Sequence, residues 1–171
     1  AQAEALVEKI GESAPESIDY QTARALYAYY YIRDYRSADR LITLARERAP
    51  SDTRLIEIHS YIKRRQSDFN STIELARLNR QLEPNEQRFA VELVRRLMLI
   101  HRYAEAEEEA DLIAQPDSSA IFLMNQLSLS RHHDLARYRD DMQALDRNSG
   151  PYAGSFFLDL NLYESYIAAR D

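Results

Sequence analysis

Apolar side chains return along this chain at intervals of three and four, in segments closed off by polar, glycine or proline residues. This is the spacing of one face of an α-helix. Leu6, Val7 and Ile10 open the pattern, and Gly11, Ser13 and Pro15 stop that first segment. Ala25, Leu26 and Tyr29 predict the inward face of a helix over about 17–32, and Ala38, Ile42 and Ala45 that of a helix over about 36–48. Leu93 and Leu97, then Tyr103, Ala106, Ala110 and Ile113, keep the same register further on. A pair of segments with helix-turn-helix spacing follows, about 118–131 with Ile121, Phe122, Met124, Leu127 and Leu129, and about 134–147 with Leu135, Met142 and Leu145. Gly150-Pro151 breaks the chain, and a last segment over about 152–169 presents Phe156, Phe157, Leu160, Tyr163 and Ile167.

The segments are copies of one unit. Arg33-Asp34-Tyr35-Arg36-Ser37-Ala38 returns as Ser67-Asp68-Phe69-Asn70-Ser71-Thr72 and again as His101-Arg102-Tyr103-Ala104-Glu105-Ala106, with 34 positions from Tyr35 to Phe69 and 34 from Phe69 to Tyr103. The same interval separates Pro50 from Pro84. An aromatic residue, a small residue three positions on and a later proline at this period resemble the tetratricopeptide repeat (TPR).

The resemblance implies an all-α fold, a right-handed superhelix of antiparallel helix pairs. Its repeats would span 19–52, 53–86 and 87–118, with a degenerate repeat at 119–149 and a helix at 151–169 capping the apolar end of the stack. Residues 1–14 fall in phase with the second helix of a preceding repeat, so residues 1–171 are expected to be one domain excised from a longer chain. Ala38 should lie where two helices approach to the close end of the roughly 8–10 Å range, which only small side chains permit. Ser51 and Ser67 read as N-caps. The first helices depart from the family pattern at Thr22, Leu26 and His59.

Composition narrows the function classes. Three glycines and five prolines in 171 residues fit helices and are too few for a sandwich or barrel. No apolar run approaches the roughly 20 residues of a membrane span, so no membrane insertion is expected. Without cysteine the chain has no disulfide, thiolate metal site or cysteine nucleophile, which fits cytoplasm and periplasm alike. A net charge of −6 argues against duplex nucleic acid as a whole-surface partner.

Catalytic chemistry finds little to work with. His132 and His133 are adjacent and point about 100° apart on a helix, a poor start for a shared metal. The acidic run Glu105–Asp111 lacks the loop that wraps calcium. Neither a phosphate loop nor a paired-histidine zinc motif is present, so no enzyme, cofactor or metal is expected.

Candidate binding residues come from the family resemblance, in which the first helix of each repeat lines the concave face at positions two, six, nine and thirteen. Those positions hold Tyr20, Arg24, Tyr27 and Tyr31, then Arg54, Ile58, Tyr61 and Arg65, then Arg88, Glu92, Arg95 and Leu99, with Arg64 beside them. Spacings of 7 and 11 put Tyr27 and Tyr31 within about 20° of Tyr20 around the helix. Tyrosine supplies flat contact area with a hydroxyl, and arginine a planar fork for carboxylate or phosphate. The resemblance therefore implies a protein-interaction scaffold for an acidic or extended segment of another protein. The alternatives are a periplasmic part of a polysaccharide export system that binds anionic polymer, and a regulatory or dimerisation segment of a larger regulator. A competing account packs the tyrosines between repeats and pairs the arginines with Glu57, Glu92 and Asp68. The lysine and asparagine with which some family members clamp a chaperone's acidic tail are replaced here by Ala23 and Tyr27.

Overall fold

A computed structural model of the chain describes residues 16–149 together with Lys9, Gly11 and Ala14. The capping helix expected over 151–169 lies outside the described residues, as does nearly all of the partial repeat over 1–14. The ordered elements among the described residues are all helical: α1 (Ile18–Tyr27), continued by a π-helical turn (Ala28–Ile32), α2 (Tyr35–Arg48), α3 (Thr53–Arg65), α4 (Phe69–Leu82), α5 (Gln87–Leu99), α6 (Tyr103–Ala110), α7 (Ser118–His132) and α8 (Leu135–Ser149). The fold is all-α.

One turn chemistry joins the two helices of each pair. Arg33, Ser67, His101 and His133 adopt positive φ of 60°, 61°, 60° and 57°, at intervals of 34, 34 and 32 residues. Such a left-handed residue closes a helix by turning the chain away from its axis. In three of the four turns an aspartate comes next. Asp34 accepts from the Ser37 amide, Asp68 from the Ser71 amide and Asp134 from the Arg137 amide, which satisfies donors that a helix start leaves without partners. The caps expected at Ser51 and Ser67 are corrected by this pattern: Asp52 caps α3 through the Arg54 and Leu55 amides and Asp68 caps α4. Ser67 is the left-handed residue itself. Arg102 stands at the equivalent place before α6 and makes no side-chain cap.

The described residues up to Arg96 form one compact unit and those from Leu97 onward another. In the first, α1 packs on α2, α2 on α3 and α3 on α4. Ala38, Ile42 and Ala45 are wholly buried with Ala25, Leu55 and Ile62. The two alanines let neighbouring helices approach closely, while each buried isoleucine or leucine contributes about 1.5–3 kcal/mol. In α4 the equivalents of Ala38 and Ala45 are Thr72 and Asn79, and each donates to a backbone carbonyl, while Asn79 Oδ1 is buried with no hydrogen-bond partner among the described residues. Thr72 donates to the Asp68 carbonyl (2.8 Å) and Asn79 Nδ2 to the Thr53 carbonyl (3.1 Å). Leu26, expected inward, is only half-buried, and Thr22 takes a buried place instead.

His59, where the family carries leucine, anchors a polar cluster between α2 and α3. Its Nε2 lies 2.8 Å from Asp39 Oδ1 and its Nδ1 2.8 Å from the Arg46 guanidinium, while Lys63 Nζ reaches Asp39 Oδ2 at 2.9 Å. Arg46 has only donors to offer, so Nδ1 accepts and Nε2 carries the proton to Asp39.

In the second unit α6 packs on α7 and α7 on α8. Ala106, Ala110, Ala120, Leu123 and Leu127 are buried, and Leu129, Tyr138 and Met142 form a cluster with Ile121, Phe122 and Leu135 against it. Glu107 accepts from Arg131 (2.9 Å) and lies 3.1 Å from His132 Nε2, which ties α6 to the end of α7.

Candidate functional site

The candidate residues of the first unit sit on α1, the π-helical turn that continues it, α3 and the part of α5 before residue 97. Tyr27 at the end of α1 and Tyr31 in the π-helical turn stack with ring centres 5.4 Å apart, and the Arg24 guanidinium lies 5.5 Å from the centre of the Tyr20 ring. Gly11 also lies against Tyr20: a Cβ added there would stand 2.6 Å from the ring. Arg24 is exposed and has no carboxylate partner among the described residues.

Tyr61 is the pivot on α3. Its hydroxyl donates to Glu57 Oε1 at 2.6 Å, and its ring carries Arg64 on one side (5.9 Å) and Arg96 (5.4 Å). Burial, followed by the bond to Glu57 and the charges of Glu57 and Glu92, pushes the phenol well above its usual range, so Tyr61 remains a neutral donor. Arg88 donates to Glu57 Oε2 (3.0 Å), and Glu92 draws Arg95 (3.5 Å) and Arg96 (2.6 Å). Arg54 reaches Asp19 on α1 at 3.6 Å. Arg65 donates from Nε to the Tyr29 hydroxyl at 3.3 Å.

The structure thus divides the ten candidates. Arg54, Arg88 and Arg95 are engaged by Asp19, Glu57 and Glu92, as the packing account expects for the last two, while Asp68 has Lys63 as its nearest cation at 4.0 Å. Arg24, Arg64 and the outer nitrogens of Arg65 carry no ion pair among the described residues, and Tyr31 is 69% exposed. Tyr20, Tyr27 and Tyr61 are half-buried, each showing part of its ring.

Sequence reasoning missed Arg96. It is 4% exposed, burial lowers its pKa, and it lies in the line that Ile62 and Ala28 occupy one and two repeats earlier. It places a positive charge beneath Tyr61, with Glu92 as counter-charge one helical turn back. The only signal in the sequence is that i, i+4 glutamate. Tyr30 and Ile32 were missed as well. The Tyr30 ring stands edge-on to Tyr29 at 4.7 Å, and Tyr29 lies 5.7 Å from Tyr35. Among the described residues no three His, Asp or Glu side chains converge as a metal site, and no helix is long and apolar enough to cross a membrane.

Among the described residues, six arginines, 24, 54, 64, 65, 88 and 95, with Arg96 buried beneath Tyr61, meet three carboxylates, those of Asp19, Glu57 and Glu92, along this face. A chain of net charge −6 therefore carries a cationic, aromatic strip. Arginine forks pair with planar anions through charge-assisted hydrogen bonds, and tyrosine faces stack on flat groups.

No family model and no curated protein matches the sequence. Among solved structures the chain is similar to one described as "Functional Characterization of Pseudomonas Aeruginosa pilF", with 17% sequence identity and a TM-score of 0.66, over 91% of this chain and 72% of that one. At this identity the likeness concerns the fold alone. Together with the helix pairs and the recurrence of their left-handed turns, it gives the chain a TPR-like helical-repeat fold.

Proposed function

We propose that the chain is a non-enzymatic member of the TPR family, a scaffold that holds an acidic, extended segment of a partner protein along the face of α1 and α3. The observation that carries this reading is the stacked Tyr27–Tyr31 pair with Arg24 beside it, a cation without a carboxylate partner among the described residues next to an exposed aromatic surface. Sheltered charge-assisted bonds contribute about 1.5–3 kcal/mol each, so two or three of them with tyrosine contacts give roughly micromolar affinity.

The test is fluorescence anisotropy with labelled twelve-residue Glu-rich and Asp-rich peptides, compared with their Gln and Asn counterparts. The full chain should bind the acidic set alone. A variant with Arg24→Gln, Tyr27→Ala and Tyr31→Ala, matched in circular dichroism and melting, should lose at least tenfold in affinity. Equal binding by both proteins would assign the tyrosines to packing and remove this face from the function.

A further inference from the structure

The end of α1 differs from the end of α3 in a way that the strip of groove positions does not require. From the cap Ser17 to the left-handed Arg33 is 16 residues, and from Asp52 to Ser67 it is 15. The π-helical turn takes up the difference. The Asp34 amide bonds back six residues to the Ala28 carbonyl (3.0 Å), whereas the Asp68 amide bonds back five, to the Lys63 carbonyl (3.0 Å). Wide turns of this kind are frequent at functional positions, because they re-aim side chains. Here the turn leaves Tyr30, Tyr31 and Ile32 exposed by 64%, 69% and 60%. One repeat later the same places hold Arg64, Arg65 and Gln66. Three consecutive large apolar residues facing water mark a contact surface better than scattered ones do.

Three arginines, 33, 36 and 65, lie around this tip beside the Asp34 and Asp68 carboxylates. Arg65 is held by its Nε bond to Tyr29, the residue against which Tyr30 packs, and its outer nitrogens have no partner among the described residues. Arg33 and Arg36 are exposed and form no ion pair among those residues either. The Asp34 carboxylate is committed to the Ser37 amide. Gln66 Nε2 donates to the Tyr35 carbonyl (3.0 Å), which fixes the α1–α2 and α3–α4 turns side by side. We propose that Tyr30, Tyr31, Ile32 and Arg65 form an anchor for a protein segment in which a large apolar residue stands next to an aspartate or glutamate. The apolar residue lies on the Tyr30–Ile32 shelf and the carboxylate takes the Arg65 fork.

This rests on the scaffold reading and specifies what the bound segment carries. An anionic bilayer also attracts aromatic and basic residues. The Asp34 and Asp68 carboxylates on the same edge oppose it, and one fork fixed by a tyrosine suits one discrete carboxylate.

The experiment selects a random twelve-residue peptide display library on the full chain and measures synthetic copies of the enriched peptides by anisotropy. The expected peptides pair Leu, Ile, Phe or Trp with Asp or Glu. Their affinity should fall at least tenfold with Arg65→Gln and with Ile32→Ser, and be unaffected by Glu74→Gln on the outer side of α4. Circular dichroism controls for folding. Peptides that bind through Arg24 and Tyr27 but ignore Arg65→Gln and Ile32→Ser would overturn the anchor and leave the scaffold reading standing. Failure to enrich any peptide would overturn both. If the tip variants lose only sedimentation with phosphatidylglycerol–phosphatidylcholine vesicles, the tip is a lipid contact and the anchor is overturned.

Discussion

At the scale of single residues, the turns carry strain that this chain leaves in place. A side chain other than glycine in the left-handed region costs about 1–2 kcal/mol, and glycine returns part of the gain through its looser unfolded state. Ser67→Gly should therefore raise the stability by about 0.5–1 kcal/mol in urea denaturation, and Ser67→Val should lower it. The same melts separate the caps: Asp52→Ala and Asp68→Ala should each cost about 1 kcal/mol, and Ser51→Ala next to nothing. His59 sets a pH dependence. Burial, with Arg46 and Lys63 nearby, holds its pKa below the ordinary 6.5 despite Asp39. Below pH 6.5 the unfolded chain takes a proton that the folded chain refuses, so this contribution is full above 6.5 and is lost as pH falls toward the folded value. Asp39 adds a second loss lower down. Burial alone would raise its carboxyl, but the bonds from Lys63 and His59 outweigh that and hold it below 3.8, so its contribution is present above 3.8 and goes as pH falls through the lower folded value. Denaturation midpoints at pH 7.5, 6.5 and 5.5 should decline in the natural chain and flatten in His59→Gln. A flat profile in the natural chain would mean that His59 charges freely where it sits.

At the scale of the helix, buried positions decide what a side chain is for. Arg95 and Arg96 are neighbours of the same type, and about 100° of rotation sends the first to the surface and the second into the line of Ala28 and Ile62. Glu92, three residues before one and four before the other and paired with both, is all that their local sequence offers to separate them, which is why the strip was legible only in part. Ala38, Ile42 and Ala45 were legible in full, since close helix approach demands small residues at fixed spacing and the 34-residue interval repeats that demand. The cap assignments slipped by one because Ser51-Asp52 and Ser67-Asp68 each pair two good cap residues, and the backbone turn chooses between them. The π-helical turn left no trace in apolar spacing, since Tyr29, Tyr30 and Tyr31 fit either turn. Replacing Arg96 tests the burial argument. Arg96→Met keeps the volume while Glu92 retains Arg95 and a partly wet environment, so it should cost under about 1 kcal/mol. Arg96→Ala leaves a cavity and should cost about 2–4 kcal/mol. Equal losses in the two variants would mean that the charge, and not the packing, holds α5 to Tyr61.

At the scale of the whole molecule, the extensive contacts among the described helices run between consecutive elements, α1 with α2, α2 with α3 and α3 with α4 in the first unit, and α6 with α7 and α7 with α8 in the second. Stability in such an array is a sum of local terms and neighbour terms, so a perturbation fades within a helix or two of where it is made. Ile42 is wholly buried in the core built by α1, α2 and α3, and Leu127 is buried in the second unit. Truncating either to alanine should cost about 2–5 kcal/mol of local stability. Hydrogen exchange read by mass spectrometry separates the two outcomes. Ile42→Ala should speed amide exchange in α1, α2 and α3 and leave α7 and α8 at their natural rates, and Leu127→Ala should do the reverse. If each substitution instead speeds exchange throughout the described helices, the chain opens as one cooperative body. A partner held at one end would then be felt at the other. Local opening implies the opposite for the proposed binding face: a segment bound on α1 and α3 should slow exchange there and in α2, while α7 and α8 exchange as they do in the free chain.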